Sequence, residues 1–177
     1  MTAGRQVNTL SQSWCTPQKY VEAINTFFNY NIDLDPCSNE DSIIDAKVKW
    51  ALPTDGLKQN WNYHNIYVNP PYGRDAERHT TIKNWIHKIY DTQSKYNNNI
   101  LALIPVATNT SHWKEYIFGK AIAICFLNDT RLKFRIDGNE ENKGCPMACC
   151  MVYWGNDYEK FSEVFNGFGT VVNINNN

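Results

Sequence analysis

Asn69-Pro70-Pro71-Tyr72 is the segment of this chain best suited to chemistry. Two consecutive prolines fix the backbone and remove its donors, so the Asn69 amide oxygen and the Pro70 carbonyl stand as rigid acceptors. A planar exocyclic amine has two hydrogens to give. Two fixed acceptors hold such a nitrogen, favour its move toward tetrahedral geometry as the lone pair attacks, and aim it at an electrophile. Tyr72 adds a flat ring that can stack on the system bearing the amine. The plain alternative is a proline-rich turn. The β-branched and aromatic run Asn65-Ile66-Tyr67-Val68 directly before it weakens that alternative, because it places the segment at the end of a buried strand.

Three further groups of residues carry polar chemistry. Asp35-Pro36 closes what reads as a short buried strand at residues 31–34, and proline stops sheet pairing there. Thr16-Pro17 and Asp55-Gly56 supply a hydroxyl and a carboxylate, although a helix cap and a loop turn explain them equally well. Arg131, Lys133 and Arg135 alternate, so on a strand they share one face that could grip phosphates; an exposed strand with solvated charges is the ordinary reading. Arg74, Arg78 and Lys83 follow the Pro-Pro loop as a second basic group, with Arg74 nearest to it.

The elements that must position these residues are legible as alternating strands and helices. Thr16 as N-cap and Pro17 at the first helical position open a helix on which Tyr20, Val21, Ile24, Phe27 and Phe28 recur at helical spacing. Ile82, Trp85, Ile86, Ile89 and Tyr90 mark a second helix, Thr110 or Ser111 starts a third, and Phe161, Val164 and Phe165 lie on a short one ending near Gly167. Strands are expected at 31–34, 65–68, 100–106, 121–127, 131–136, 147–154 and 170–174. This order predicts an α/β fold with a largely parallel central sheet and helices on both faces, whose ligands bind beyond the carboxyl ends of the strands. A flexible segment at 1–13, one domain at 14–172 and an Asn-rich flexible tail at 173–177 complete the organisation.

Bulk composition narrows the function classes. Seventeen basic against eighteen acidic residues leave a net charge of -1, so any polyanion partner must meet a local basic patch. No apolar run is long enough to span a bilayer, and the start of the chain lacks the order of a signal peptide, which predicts a cytoplasmic protein. Six irregularly spaced cysteines do not form a secreted disulfide framework. A metal-stapled module using Cys125, Cys145, Cys149 and Cys150 is disfavoured because adjacent cysteines in a strand face opposite ways; no metal is expected.

In order along the chain come Trp14-Cys15-Thr16-Pro17, Asp33-Leu34-Asp35-Pro36-Cys37-Ser38, Asp55-Gly56-Leu57 with Trp61, Asn69-Pro70-Pro71-Tyr72-Gly73, Thr108-Asn109-Thr110 with Trp113, and Arg131-Leu132-Lys133-Phe134. Over residues 13–155 this series resembles the phage-type DNA N6-adenine methyltransferases. The resemblance implies a Rossmann-like class I methyltransferase, S-adenosylmethionine as cofactor and DNA as substrate. It further implies a phage or prophage origin in a bacterial host; protection of phage DNA from restriction is one purpose open to such an enzyme, and on that the resemblance is silent. It places the cofactor against Trp14, Thr16, Pro17, Asp35, Pro36 and Asp55, and catalysis at Asn69, Pro70, Pro71 and Tyr72. The Asp35-Pro36-Cys37-Ser38 loop has no glycine, which departs from the Gly-rich loop of many methyltransferases.

On this reading Asn69 and Pro70 hold the amine of a flipped-out adenine, Tyr72 stacks on the base, and Arg74, Arg131, Lys133 and Arg135 hold the DNA backbone. Transfer is direct and in line, with no metal and no covalent intermediate on the enzyme. A chain this short has no large recognition domain, so specificity rests on loops at 73–81 and 137–146, on a homodimer or protein partner, or is relaxed. The same Asn-Pro-Pro-Tyr chemistry also suits RNA adenine or a protein glutamine, and a non-catalytic nucleic-acid-binding relative is the reading from another class.

Overall fold

The protein is described here from a computed structural model covering residues 14–129, 131–140 and 144–175. The expected flexible segment at 1–13 lies outside these, as do the last two residues of the Asn-rich tail. The elements are α1 (Gln18–Phe27), β1 (Ile32–Asp35), β2 (Ala46–Lys49), β3 (Asn65–Val68), α2 (Ile82–Tyr96), β4 (Asn99–Pro105) and α3 (Ser111–Tyr116). They continue as β5 (Ala123–Leu127), β6 (Arg135–Ile136), β7 (Asn139–Glu140), β8 (Cys149–Trp154), α4 (Tyr158–Phe165) and β9 (Gly169–Asn173).

Seven strands form one sheet in the order β2-β1-β3-β4-β8-β5-β9. Pairing is parallel from β2 through β4 and antiparallel from β4 through β9. The expectation of a largely parallel sheet is corrected: β1 to β5 share one direction, but β8 inserts against it between β4 and β5, and β9 runs against β5 at the edge. The reason is that continuous apolar runs reveal burial and not direction. β8 follows β5 through a long loop with a small β6–β7 hairpin rather than through a crossover helix, so nothing forces it to run parallel.

Helices cover both faces, as expected. On one face Tyr20, Ile24 and Phe27 of α1 and Phe161 and Phe165 of α4 pack on Tyr67, Leu101, Leu103, Met151 and Tyr153. On the other, Trp85, Ile86 and Ile89 of α2 and Trp113 of α3 pack on Leu34, Ile66, Val68, Ile100, Ile104 and Trp154. The strand period of two divides neighbouring residues between the faces, and Cys149 and Cys150 accordingly enter opposite layers. Among the described residues, no group of three or more His, Cys, Asp or Glu side chains is arranged to hold a metal ion.

Local differences from the sequence reading have local causes. β2 escapes it because four residues with two lysines look like surface; as an edge strand it uses that charge, and Lys47 reaches Asp33 at 2.8 Å. Only the end of the expected strand at 131–136 is strand, as β6. Its alternation survives nonetheless, with Leu132 and Phe134 buried and Arg131 and Lys133 exposed. Thr16 is not the cap of α1: Pro17 occupies that position and no side chain caps it. The expected tail at 173–177 begins too early, since Asn173 closes β9 and the Ile174 amide donates to the Ile122 carbonyl at 3.0 Å.

Candidate active site

The carboxyl ends of β1, β3, β4 and β5 lie along one edge of the sheet, because those strands share a direction. β1 ends at Asp35 and β3 hands over to Asn69, so adjacent strands bring these residues side by side. Both line one narrow cleft with Trp14, Thr16, Cys37, Ser38, Asn39 and Tyr67. The first segment of the chain is drawn in by backbone pairing: the Cys15 amide donates to the Arg135 carbonyl at 2.9 Å, and the Arg135 amide returns a bond to Cys15 at 3.0 Å.

Asn69 donates through Nδ2 to the Trp14 carbonyl at 2.8 Å, which fixes the amide and turns its Oδ1 into the available acceptor. The hydroxyls of Thr16 and Tyr67 bond each other at 2.7 Å in the cleft wall, with Thr16 buried. Asp35 is buried and receives the Cys37 amide at 3.3 Å. Burial outweighs that bond and those from the Ser38 and Ser42 side chains, and pushes its carboxyl up to about 6. Ser38, whose buried hydroxyl faces the Asp35 carboxylate, stands where this cleft meets a larger cavity.

That larger cavity, of about 310 Å³, shares Cys37, Ser38 and Asn39 with the cleft and is closed by Pro36, Trp50, Thr54, Gly56, Pro71, Arg78 and Trp85. Its shape depends on Gly56. A Cβ there would stand 1.9 Å from the Pro36 carbonyl oxygen, so only glycine lets the two loops meet. Trp61 Nε1 secures the contact by donating to the Gly56 carbonyl at 2.8 Å. Asp55 sits beside it but is already engaged: its Oδ1 receives the Leu57 amide at 3.1 Å and faces Arg78 Nη1 at 3.6 Å.

Tyr72 is largely buried, and its hydroxyl donates to the Leu103 carbonyl at 3.0 Å. Trp14 and Phe134 both meet its ring edge-on, at 5.9 and 5.6 Å between centroids, and stack on each other at 5.0 Å. An aromatic wall thus stands next to Asn69. Phe134 faces this wall while its neighbour Lys133 faces away, into a separate basic cavity of about 210 Å³ lined by Pro17, Lys19, Asp129, Arg131 and Lys133. There Asp129 binds Lys19 at 2.5 Å and accepts the Tyr20 hydroxyl. Arg135 donates to the Gly138 carbonyl at 2.9 Å, and its buried Nη1 has no hydrogen-bond partner among the described residues.

The structure therefore brings Trp14, Thr16, Asp35 and Asn69 to one cleft, puts Pro36 and Pro71 in the adjoining cavity, and buries Pro70. Pro17 belongs to the basic cavity and not to the cleft. Arg74 is exposed on the loop after Tyr72. Phe134, Tyr67, Arg78 and Lys19 were not singled out for these places. For Phe134 the signal was present, since a buried residue alternating with two cations on one segment must face inward.

A model of the DNA N-6-adenine-methyltransferase (Dam) family matches residues 5–176. The chain belongs to that family. The match spans both halves of the sheet, including the cleft, the aromatic wall and the basic cavity. Membership makes this a DNA adenine N6-methyltransferase in the broad sense. No curated protein matches the chain. No helix among the described residues is long and apolar enough to cross a membrane.

Proposed function

We propose that the protein transfers a methyl group from S-adenosylmethionine to N6 of an adenine flipped out of DNA, with Asn69 and Pro70 positioning the amine. The observation that carries this reading is that Asp35 and Asn69, at the carboxyl ends of two adjacent parallel strands, line one cleft. The donor set fits the cofactor. Asp35 offers a buried carboxylate to an ammonium or to ribose hydroxyls, and the Gly56 cavity has the size and the mixed apolar and polar lining for a nucleoside. When bound there, S-adenosylmethionine supplies a sulfonium-activated methyl group.

The protein's own part is positional and electrostatic. Asn69, held by the Trp14 carbonyl, presents Oδ1 to one amine hydrogen, and the Pro70 carbonyl takes the other. The amine can lose its proton after attack, so no dedicated base is needed. Tyr72 with Trp14 and Phe134 forms the wall for the base, which must leave the duplex to reach it. Adjacent residues divide the nucleotide: Phe134 faces the base site while Arg131, Lys133 and Lys19 face the cavity suited to a backbone phosphate. Asp55, already engaged by the Leu57 amide and by Arg78, is not an open acceptor for the cofactor.

The test is incubation with methyl-labelled S-adenosylmethionine and unmethylated DNA or RNA, followed by digestion and mass spectrometry. Label is expected in deoxyadenosine as the N6-methyl species. Label confined to RNA, or to neither nucleic acid, would overturn the proposal.

A further inference from the structure

Arg78 follows the Pro-Pro loop with Arg74, and its charge suggests a DNA contact. Its side chain goes elsewhere. The loop between Tyr72 and α2 is closed on itself by a pair of backbone bonds, Asp75 amide to Thr80 carbonyl at 2.9 Å and Thr80 amide to Asp75 carbonyl at 3.2 Å. Arg78 is bound firmly within it: its amide donates to Asp75 Oδ1 at 2.9 Å and its Nε to Asp75 Oδ2 at 2.6 Å. The far end of the guanidinium leaves the loop and enters the wall of the 310 Å³ cavity, where Nη1 lies 3.6 Å from Asp55 Oδ1. That distance is an ion pair and not a hydrogen bond. Arg78 is therefore fastened to its own loop and only loosely held at the cavity.

We infer that Arg78 is a positioning residue that couples cofactor binding to DNA binding. The inference rests on the assignment of this cavity to the cofactor. A nucleoside filling the cavity meets both the planar guanidinium and Pro71, which belong to the segment that also carries Asn69 and Arg74. Guanidinium groups stack on and hydrogen-bond to planar heterocycles. An occupied cavity thereby fixes the loop through Arg78, and the loop presents Arg74 to the DNA backbone. Linkage makes the effect reciprocal: whatever factor the cofactor adds to DNA affinity, DNA adds to cofactor affinity.

The probes are S-adenosylhomocysteine and an unmethylated duplex, with full-length protein. Duplex affinity is measured by fluorescence anisotropy with and without saturating S-adenosylhomocysteine, and S-adenosylhomocysteine affinity by calorimetry with and without duplex. Wild-type protein should show the same enhancement in both directions, about tenfold, within the usual range of allosteric coupling. Arg78→Ala should bring the factor to about one, on the order of a tenfold loss of coupling. Arg78→Lys, which keeps the charge and loses the fork, should fall between. Asp75→Asn provides a variant remote from the cavity: it releases the loop end of the strut and should also reduce coupling. Undiminished coupling in Arg78→Ala and Asp75→Asn, or no coupling in the wild type, overturns the inference while leaving the cofactor assignment standing. Failure of S-adenosylhomocysteine to bind the wild type overturns both.

Discussion

The two halves of the sheet solve different problems. From β2 to β4 the strands are parallel and the turns at their carboxyl ends are stiffened by proline, at Asp35-Pro36 and at Asn69-Pro70-Pro71. From β8 to β9 the pairing is antiparallel, and the basic cavity draws Arg131 and Lys133 from the long connection between β5 and β8, which doubles back as the β6–β7 hairpin. The first half holds small groups at fixed positions; the second spreads cations over a surface. Short, rigid strand ends give precision; on the proposed assignment, contact with a long polyanion tolerates an irregular segment as long as inward and outward residues alternate.

Substitutions in the first half should therefore strike chemistry and cofactor, and those in the second should strike DNA affinity. The largest effect is expected for Asn69→Ala, which removes both the Oδ1 acceptor and the anchor to Trp14. Turnover should fall by about 10²–10³ or more, while S-adenosylhomocysteine affinity by calorimetry changes by less than about threefold. Equal losses in both would show that Asn69 supports the fold of the cleft and not the reaction.

Asp35→Asn sharpens the division further, because it should separate stability from binding. The Asp35 carboxyl is raised from its ordinary value to about 6 by burial, so the folded state holds the proton more tightly than the unfolded chain. The stability this gives is complete below the ordinary carboxylate range and is lost as pH rises through about 6. At neutral pH the ionised group costs on the order of 3 kcal/mol as an upper figure. Asp35→Asn should raise the melting temperature by several degrees at pH 7.5 and leave it nearly unchanged at pH 4. It should also weaken S-adenosylhomocysteine binding by about tenfold or more. In the wild type that affinity should decline as pH falls through about 6.

In the second half, Lys133→Ala and Lys19→Ala should each reduce the slope of log affinity for DNA against log salt by about 0.9, with cofactor affinity untouched. A slope unchanged in both variants would remove the basic cavity from the DNA path. The smallest expected change is Tyr72→Phe. It deletes the bond to the Leu103 carbonyl, costing about 1 kcal/mol in chemical denaturation, while the ring that faces the base remains and turnover stays within a few-fold.

Periodicity made the helices and most strands legible before any coordinates, because α1, α2 and α4 bury one stripe and β3, β4 and β8 are nearly continuous apolar runs. The position of Asn69 after a buried strand was equally legible. Strand direction was not, since it depends on connections rather than on residue type. The partners of polar side chains were hidden for a related reason. Thr16 looks like a cap and instead meets Tyr67 from β3; Arg78 looks like a surface cation and instead reaches Asp55. Both partners are distant in sequence, and side-chain spacing carries no record of them. Pro17 illustrates the limit of carrying roles over by motif: one residue from Thr16, it lines a different cavity.

The insertion of β8 between β4 and β5 also governs how the chain is made. A nascent protein that has reached the end of β4 possesses every strand of the parallel half, yet β4, buried along almost its whole length, has one bare edge. That edge is not covered until Cys149–Trp154 emerges. At about 5–20 residues per second, synthesis leaves it open for on the order of several seconds. An open, apolar strand edge is a template for intermolecular pairing. Truncation before β8 should thus yield aggregates rather than a small cofactor-binding fragment, and the yield of soluble protein in a cell should depend on chaperone supply during that interval.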